Sequence, residues 1–239
     1  MFRICLPSNT SSEYFPKNIP SNYRVKLPHI FDSTKKYECA LSEIIFPNKF
    51  KNVRKGLNNI QVELGSSGKI RQFLITPGYY STIAALILKI KSTIKSIDIV
   101  YNKAKKRTIV KSNYRIKFGE DIARLLGFSS KTWIPGGRKK IKSPYHATVH
   151  GGLTTLYIYT DVIQEQFVGE TAVPILRIVN WDHKIEKDNM SISFDRLYYS
   201  PLKNTSFDTI NIFIMDDTGK EVQFEYGKVV VVLEFKEML

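Results

Sequence analysis

The chain is short of the residues that carry out chemistry. Two cysteines, four histidines and two tryptophans are spread over 239 residues. Cys5 and Cys39 are too few for a disulfide framework, and with no secretory leader in view they read as two buried thiols in a reducing compartment. No run of about 18 apolar residues occurs, so no membrane span is expected. The opening Met1-Phe2-Arg3-Ile4-Cys5-Leu6-Pro7 lacks the charged-then-apolar layout of a signal peptide. There is no fixed-period repeat.

Motifs of catalysis are equally scarce. There is no G-x-S-x-G, no P-loop and no G-x-G-x-x-G; Gly65-Ser66-Ser67-Gly68 and Gly136-Gly137-Arg138 lack the strand-to-helix setting in which glycines cradle phosphate. His146 and His150 have a spacing that would share a metal on a helix. Pro144 before them and Gly151-Gly152 after them argue against a helix, and in a strand the rings would be about 13 Å apart. His29 and His183 are the other two histidines. Asp216-Asp217-Thr218-Gly219 reads as a turn held by side-chain hydrogen bonds, since the glutamate that closes an EF-hand loop is missing. No catalytic, cofactor-binding or metal residue is assigned, and the chain is not expected to be an enzyme.

What is present is strand-forming. The chain is 43% hydrophobic, with 13 Tyr and 14 Phe, and aromatic and branched side chains suit a pleated, half-buried surface. Alternation predicts strands at Phe2–Leu6, Tyr23–Leu27 and Tyr37–Phe46, the last with Cys39, Leu41 and either Ile44 or Ile45 inward. Ile60–Leu64 and Lys69–Ile75 flank Gly65-Ser66-Ser67-Gly68 as a hairpin. The stripe Tyr80, Ile83, Ile87, Ile90, Ile94 predicts a helix capped by Thr76 with Pro77 in its first turn. Strands are expected at Ile97–Tyr101, Thr108–Val110 and Tyr114–Phe118. A short helix then covers Glu120–Leu126, with Gly127 in the left-handed closing position. Trp133–Pro144 reads as an exposed loop. Leu153–Ile163, Val173–Val179, Met190–Phe194, Phe207–Ile214 and Gly227–Phe235 complete the strands. The closing Val229–Leu233 run is apolar on both faces, as in a sheet covered on both sides. The expected fold is all-β with minor α: a single jelly-roll β-sandwich with one longer and one short helix in insertions. It forms one domain over residues 1–239 with a basic, helix-containing insertion at about 76–145.

The formal net charge is +14. Between Lys89 and Lys142 stand 16 Lys/Arg against three acids (Asp98, Glu120, Asp121), and the remainder holds 20 against 19. Lys103, Lys105, Lys106 and Arg107 fall on a hairpin tip; Arg138, Lys139, Lys140 and Lys142 fall in the loop that also holds Trp133. Such cations would bind phosphates without regard to sequence, and Trp133 could stack on a base.

Several stretches together resemble the penton, or minor capsid, proteins of polinton/Maverick elements and adintoviruses. Leu6-Pro7-Ser8-Asn9, Tyr14-Phe15-Pro16-Lys17-Asn18 and Tyr23-Arg24-Val25-Lys26-Leu27-Pro28 are similar to the family's opening. Tyr37–Pro47 is similar to its W-E-V-A-L-x-E-I-x-Y-P strand, with Tyr37 and Cys39 standing where Trp and Val are usual. Pro77-Gly78-Tyr79-Tyr80 and Ala123–Phe128 resemble its G-x-Y and L-L-G-F elements. The C-terminal blocks Leu156–Gly169, Val173–Arg177, Phe207–Ile210, Asp216–Lys220 and Phe224–Val229 follow in the family's order. The resemblance implies a structural virion protein, a single jelly roll forming homopentamers at the fivefold vertices of an icosahedral capsid. Its partner would be a major capsid protein of the double-jelly-roll type, with assembly in the nucleus or cytoplasm of the host cell. The basic segment would face packaged DNA or an acidic patch on a neighbour. Two rival readings are a sequence-independent nucleic-acid-binding β-sandwich using the basic 89–142 segment, and a carbohydrate-active β-sandwich enzyme.

Overall fold

A computed structural model describes residues 1–65, 68–151, 153–181 and 187–238. His183 and the centre of the Gly65-Ser66-Ser67-Gly68 loop lie outside the described residues. In chain order the first elements are β1 (Phe2–Pro7), β2 (Asn22–Asp32), β3 (Tyr37–Pro47), β4 (Asn59–Leu64), β5 (Lys69–Leu74) and helix α1 (Ile83–Thr93). Next come β6 (Ile97–Asn102), β7 (Arg107–Ser112), β8 (Arg115–Phe118), helix α2 (Glu120–Leu126) and β9 (Ile141–Lys142). The last group is β10 (Thr155–Thr160), β11 (Gln166–Val168), β12 (Thr171–Val173), β13 (Ile175–Asn180), β14 (Asn189–Ser193), β15 (Ser200–Pro201), β16 (Ser206–Met215) and β17 (Val230–Glu237). They form two compact units, one of Met1–Phe50 with Leu153–Leu239, the other of Lys51–Gly152.

The first unit is a sandwich of two antiparallel sheets, ordered β1-β17-β3-β14 and β13-β10-β16-β2. Counting its eight main strands along the chain, the orders are 1-8-3-6 and 5-4-7-2, the double Greek key of a jelly roll. Alternation sets the inner faces. Leu156 and Ile158 of β10, Ile210, Ile212 and Ile214 of β16, and Val231, Leu233 and Phe235 of β17 are all fully buried. In β3 the inward parity changes midway. Leu233 pairs with Leu41 and Val232 with Glu43, so Ser42 is an extra residue whose hydroxyl donates to the Val232 carbonyl at 3.0 Å. This bulge puts Cys39 and Leu41 inward on one side of it, and Ile44 and Phe46 inward on the other.

β17 lies inside its sheet, as its apolar run predicts, but its outer face is not fully covered. Val230 and Val232 are half-buried there, while Glu234 is covered by hydrogen bonds from Tyr199 Oη (2.6 Å) and Arg3 Nε (2.7 Å). Cys39 is in the core, where burial raises its thiol pKa. Cys5 is exposed, because Ile4 and Leu6 take the inward positions of β1; only one of the two thiols expected to be buried is so. The free edge of β2 is closed by the loop before it. Asn18 Oδ1 accepts from Arg24 N–H and Asn18 Nδ2 donates to the Arg24 carbonyl, while Ser11 Oγ accepts from Lys26 N–H. Such cover hides the unpaired backbone groups through which edge strands stick to one another.

The second unit packs the sheets β5-β4-β8 and β6-β7-β9 with both helices around their own core. Helix α1 starts later than its periodicity suggests. Its cap is Thr82, whose hydroxyl accepts from Ala85 N–H at 3.1 Å. Thr76 and Pro77 precede it in extended chain, because Val53 and Gly78 exchange two backbone hydrogen bonds and the residue before a proline disfavours the helical region. Helix α2 has the expected bounds and ends on Gly127 at φ 77°.

Candidate functional site

The cations of the second unit form a strip along β7 rather than one patch. Lys103, Lys105 and Lys106 stand exposed on the β6–β7 tip. The turn is held by Asn102 Oδ1, which accepts from Lys105 N–H at 2.9 Å. Arg107, at the start of β7, is half-buried and donates to the Ser143 carbonyl at 3.0 Å. Arg138, Lys139 and Lys140 are exposed beside the other end of β7, where Gly137 N–H donates to the Ser112 carbonyl at 2.8 Å. From Arg107 to Ser112 the strand rise gives roughly 16 Å, so the two clusters sit at opposite ends. Lys142 lies between them, in register with Ile109.

The segment expected as a free loop is tied down by its apolar residues. Ile134 is 6% exposed and bridges to Ile116, and Ile141-Lys142 adds an edge strand to β7. Trp133 is not an open stacking platform: the Arg115 guanidinium lies 5.4 Å from its ring centroid and also pairs with Glu63 at 2.8 Å. His146 and His150 lie in no helix. Asp216 Oδ1 accepts from Thr218 N–H, Thr218 Oγ1 and Lys220 N–H, as a turn requires.

Two further cations of the 89–142 segment, Lys91 and Lys111, join the strip although they were not among the contact residues named from the sequence. Asp98 faces Lys111 across the β6–β7 ladder and pairs with Lys91 at 2.7 Å. The Lys91 hydrogen bond, helped by nearby Lys140 and Lys111, holds the Asp98 carboxyl below its usual range. Strand alternation was the available signal, since Lys111 shares its parity with Arg107 and Ile109. The unit boundaries also sharpen the charge count. Residues 51–152 hold 21 Lys/Arg and four Asp/Glu, a net of +17, whereas the remainder holds 15 and 18, a net of −3. All of the positive excess therefore belongs to the inserted unit. Flexible exposed cations of this kind neutralise phosphates and release counterions. Among the described residues no group of three or more His, Cys, Asp or Glu could hold a metal ion, and no helix is long and apolar enough to cross a membrane.

No protein-family model matches the chain, and no curated protein sequence does. Among solved structures it is similar to the crystal structure of the mavirus penton protein, with a TM-score of 0.50 and 11% identity over 99% of each chain. At that identity the likeness is one of fold: the chain is a jelly-roll β-sandwich of the kind seen in that penton, mostly β with two short helices among the described residues.

Proposed function

We propose that the chain is a structural capsid protein, a penton or minor capsid subunit of the polinton/Maverick and adintovirus type, and not an enzyme. The observation that carries this reading is a likeness of fold to a penton over 99% of both chains, with a double Greek key in the first unit. The whole chain acts as one capsid subunit: the jelly roll builds a homopentameric vertex beside a double-jelly-roll major capsid protein, and the 51–152 unit is its insertion. In that insertion Lys103, Lys105, Lys106, Arg107, Arg138, Lys139, Lys140 and Lys142 contact packaged DNA.

The test is the native mass by light scattering at low and high salt. A salt-resistant mass near 137 kDa, five copies of a 27.5 kDa chain, is the expected result for a closed cyclic ring. The net charge of +17 on residues 51–152 favours a second reading, a sequence-independent nucleic-acid binder. A salt-insensitive single-chain mass, with DNA bound only at low salt, would replace the first reading by the second.

A further inference from the structure

The hairpin β11–β12 stands out from the sandwich. Phe167 on it is 88% exposed, the most exposed large hydrophobic side chain of the described residues. Its cross-strand partner is Ala172, so no neighbouring ring covers it. Glu165 has the same strand parity as Phe167, and Glu170 stands exposed at the tip. No Lys or Arg occurs between Val162 and Leu176. The hairpin is therefore an acidic arm with one bare aromatic. Its root is fixed to β13, since Gln166 Nε2 donates to the Ile175 carbonyl at 3.0 Å and Thr160 N–H to the Pro174 carbonyl at 3.1 Å. An isolated two-stranded ribbon is marginal in water, and a bare phenylalanine on one calls for a partner.

A matching socket lies beside the edge strand β2. The loop that closes β2 forms a groove of about 390 Å³ lined by Tyr14, Phe15, Pro16, Lys17 and Arg24, with no acidic side chain in its lining. The Arg24 guanidinium lies 6.0 Å from the Phe15 ring centroid, and Tyr14 is 67% exposed. The arm leaves the fold between β10 and β13, whereas the socket is built by the loop before β2 and by Arg24, so arm and socket are separate sets of residues on one copy.

We propose that Phe167 of one copy inserts into the Tyr14–Arg24 groove of the next, with Glu165 and Glu170 against Lys17 and Arg24. The inference rests on the capsid reading and names the surface that forms the ring. Because knob and socket are different surfaces of one copy, the contact is heterologous, the kind that closes into rings. A second groove, floored by Phe31 and Tyr37, is also aromatic and basic, but Gln164 lines it. It therefore sits at the arm's own root, where a reciprocal contact would give a pair instead of a ring.

The experiment places a photoactivatable benzophenone side chain at position 167 of the full chain and maps intermolecular crosslinks by mass spectrometry. Light scattering follows the masses of Phe167→Ala, of Glu165→Lys/Glu170→Lys, and of the latter combined with Lys17→Glu/Arg24→Glu. The expected result is crosslinks to residues 14–24, assembly weakened tenfold or more by either of the first two variants, and recovery in the combined charge swap. A wild-type ring whose mass ignores these substitutions, or crosslinks that fall on the Phe31–Tyr37 groove or elsewhere, overturns the docking and leaves the capsid reading standing. A chain that never exceeds one copy overturns the ring, and the docking falls with it unless position 167 still crosslinks to residues 14–24.

Discussion

Asp121 is the carboxylate whose loss should cost most. It sits in the first turn of α2 with no exposed side-chain surface, and its two oxygens serve the second unit at four points. Oδ2 accepts from Arg54 N–H at 2.8 Å and Arg54 Nε at 3.0 Å; Oδ1 accepts from Arg54 Nη2 at 2.7 Å and Arg124 Nη2 at 3.2 Å. The Arg54 side chain is only 6% exposed. Asp121→Asn keeps the shape, removes the charge, and turns one amide N–H₂ toward a guanidinium that cannot reach water. Breaking a buried pair from one side costs about 3–5 kcal/mol. For a unit of about 100 residues, at roughly 4–8 °C per kcal/mol, the midpoint should fall by at least about 12 °C. The assay follows from the tryptophans, Trp133 in the inserted unit and Trp181 in the sandwich. Fluorine NMR of 5-fluorotryptophan-labelled protein gives each unit its own resonance through a denaturant titration. The loss should appear in the Trp133 resonance. Arg54→Met combined with Asp121→Leu should recover most of it, because apolar groups of similar volume replace the charges. A Trp133 midpoint that moves by less than about 1 kcal/mol in Asp121→Asn would refute the reasoning, since the pair would then be compensated by solvent.

Three further perturbations are read from thermal or denaturant unfolding. Thr82→Ala should cost about 1 kcal/mol through the lost helix cap, whereas Thr76→Ala, outside the helix and exposed, should stay within about 0.5 kcal/mol. Gly127→Ala should cost about 3 kcal/mol or more: the residue sits at φ 77°, and an added Cβ would lie 2.3 Å from the Tyr145 carbonyl oxygen, so left-handed strain and overpacking add. Hydrogen bonds from Tyr199 and then Arg3 hold the Glu234 carboxyl below its ordinary value, and the Tyr199 phenol is pushed up to about 12. The stabilisation Glu234 contributes is therefore present above the unfolded glutamate pKa, about 4.3, and is lost as pH falls through the lower folded value. Glu234→Gln should flatten the acid limb of a stability–pH curve, and an unchanged limb would exclude this carboxylate as its source.

The sandwich was largely legible because its strands obey a period of two: Leu156 and Ile158, or Ile210, Ile212 and Ile214, announce an inner face without help from neighbours. The bulge was not, because the run Ser42-Glu43-Ile44-Ile45 fits two parities, and the choice is made by the Val232 carbonyl across the ladder. Helix α1 was placed correctly in its body and wrongly at its start. The stripe reaches back to Tyr80, but a long-range exchange between Val53 and Gly78 overrides it. For the basic site, sequence identified the cations and not their arrangement. Separation of the two clusters depends on Ile141 joining β7, a tertiary pairing of two residues that no periodicity reveals. Phe167 had no signal at all in the sequence, since Gln166-Phe167-Val168 alternates like any half-buried strand.

The division of charge between the units sets what salt should do. A +17 surface spread over the sandwich would make copies repel one another wherever they approach within a Debye length, about 8 Å at physiological ionic strength. Confined to residues 51–152, that charge leaves a sandwich of net −3, whose contacts can be mainly apolar, with exposed ion pairs such as those at the Phe167 arm adding only a small salt-sensitive part. Polyanion binding and self-association should then separate in one salt titration. DNA retention should fall steeply with salt, with a log–log slope of about −0.9 per phosphate neutralised, while native mass stays constant. Lys103→Glu/Lys105→Glu/Lys106→Glu and Lys139→Glu/Lys140→Glu should each lower the magnitude of that slope without changing the mass, because the clusters lie at opposite ends of β7 and act independently. If either variant changed the native mass, its cations would be part of a contact between copies, and the assignment of assembly to the sandwich alone would fail.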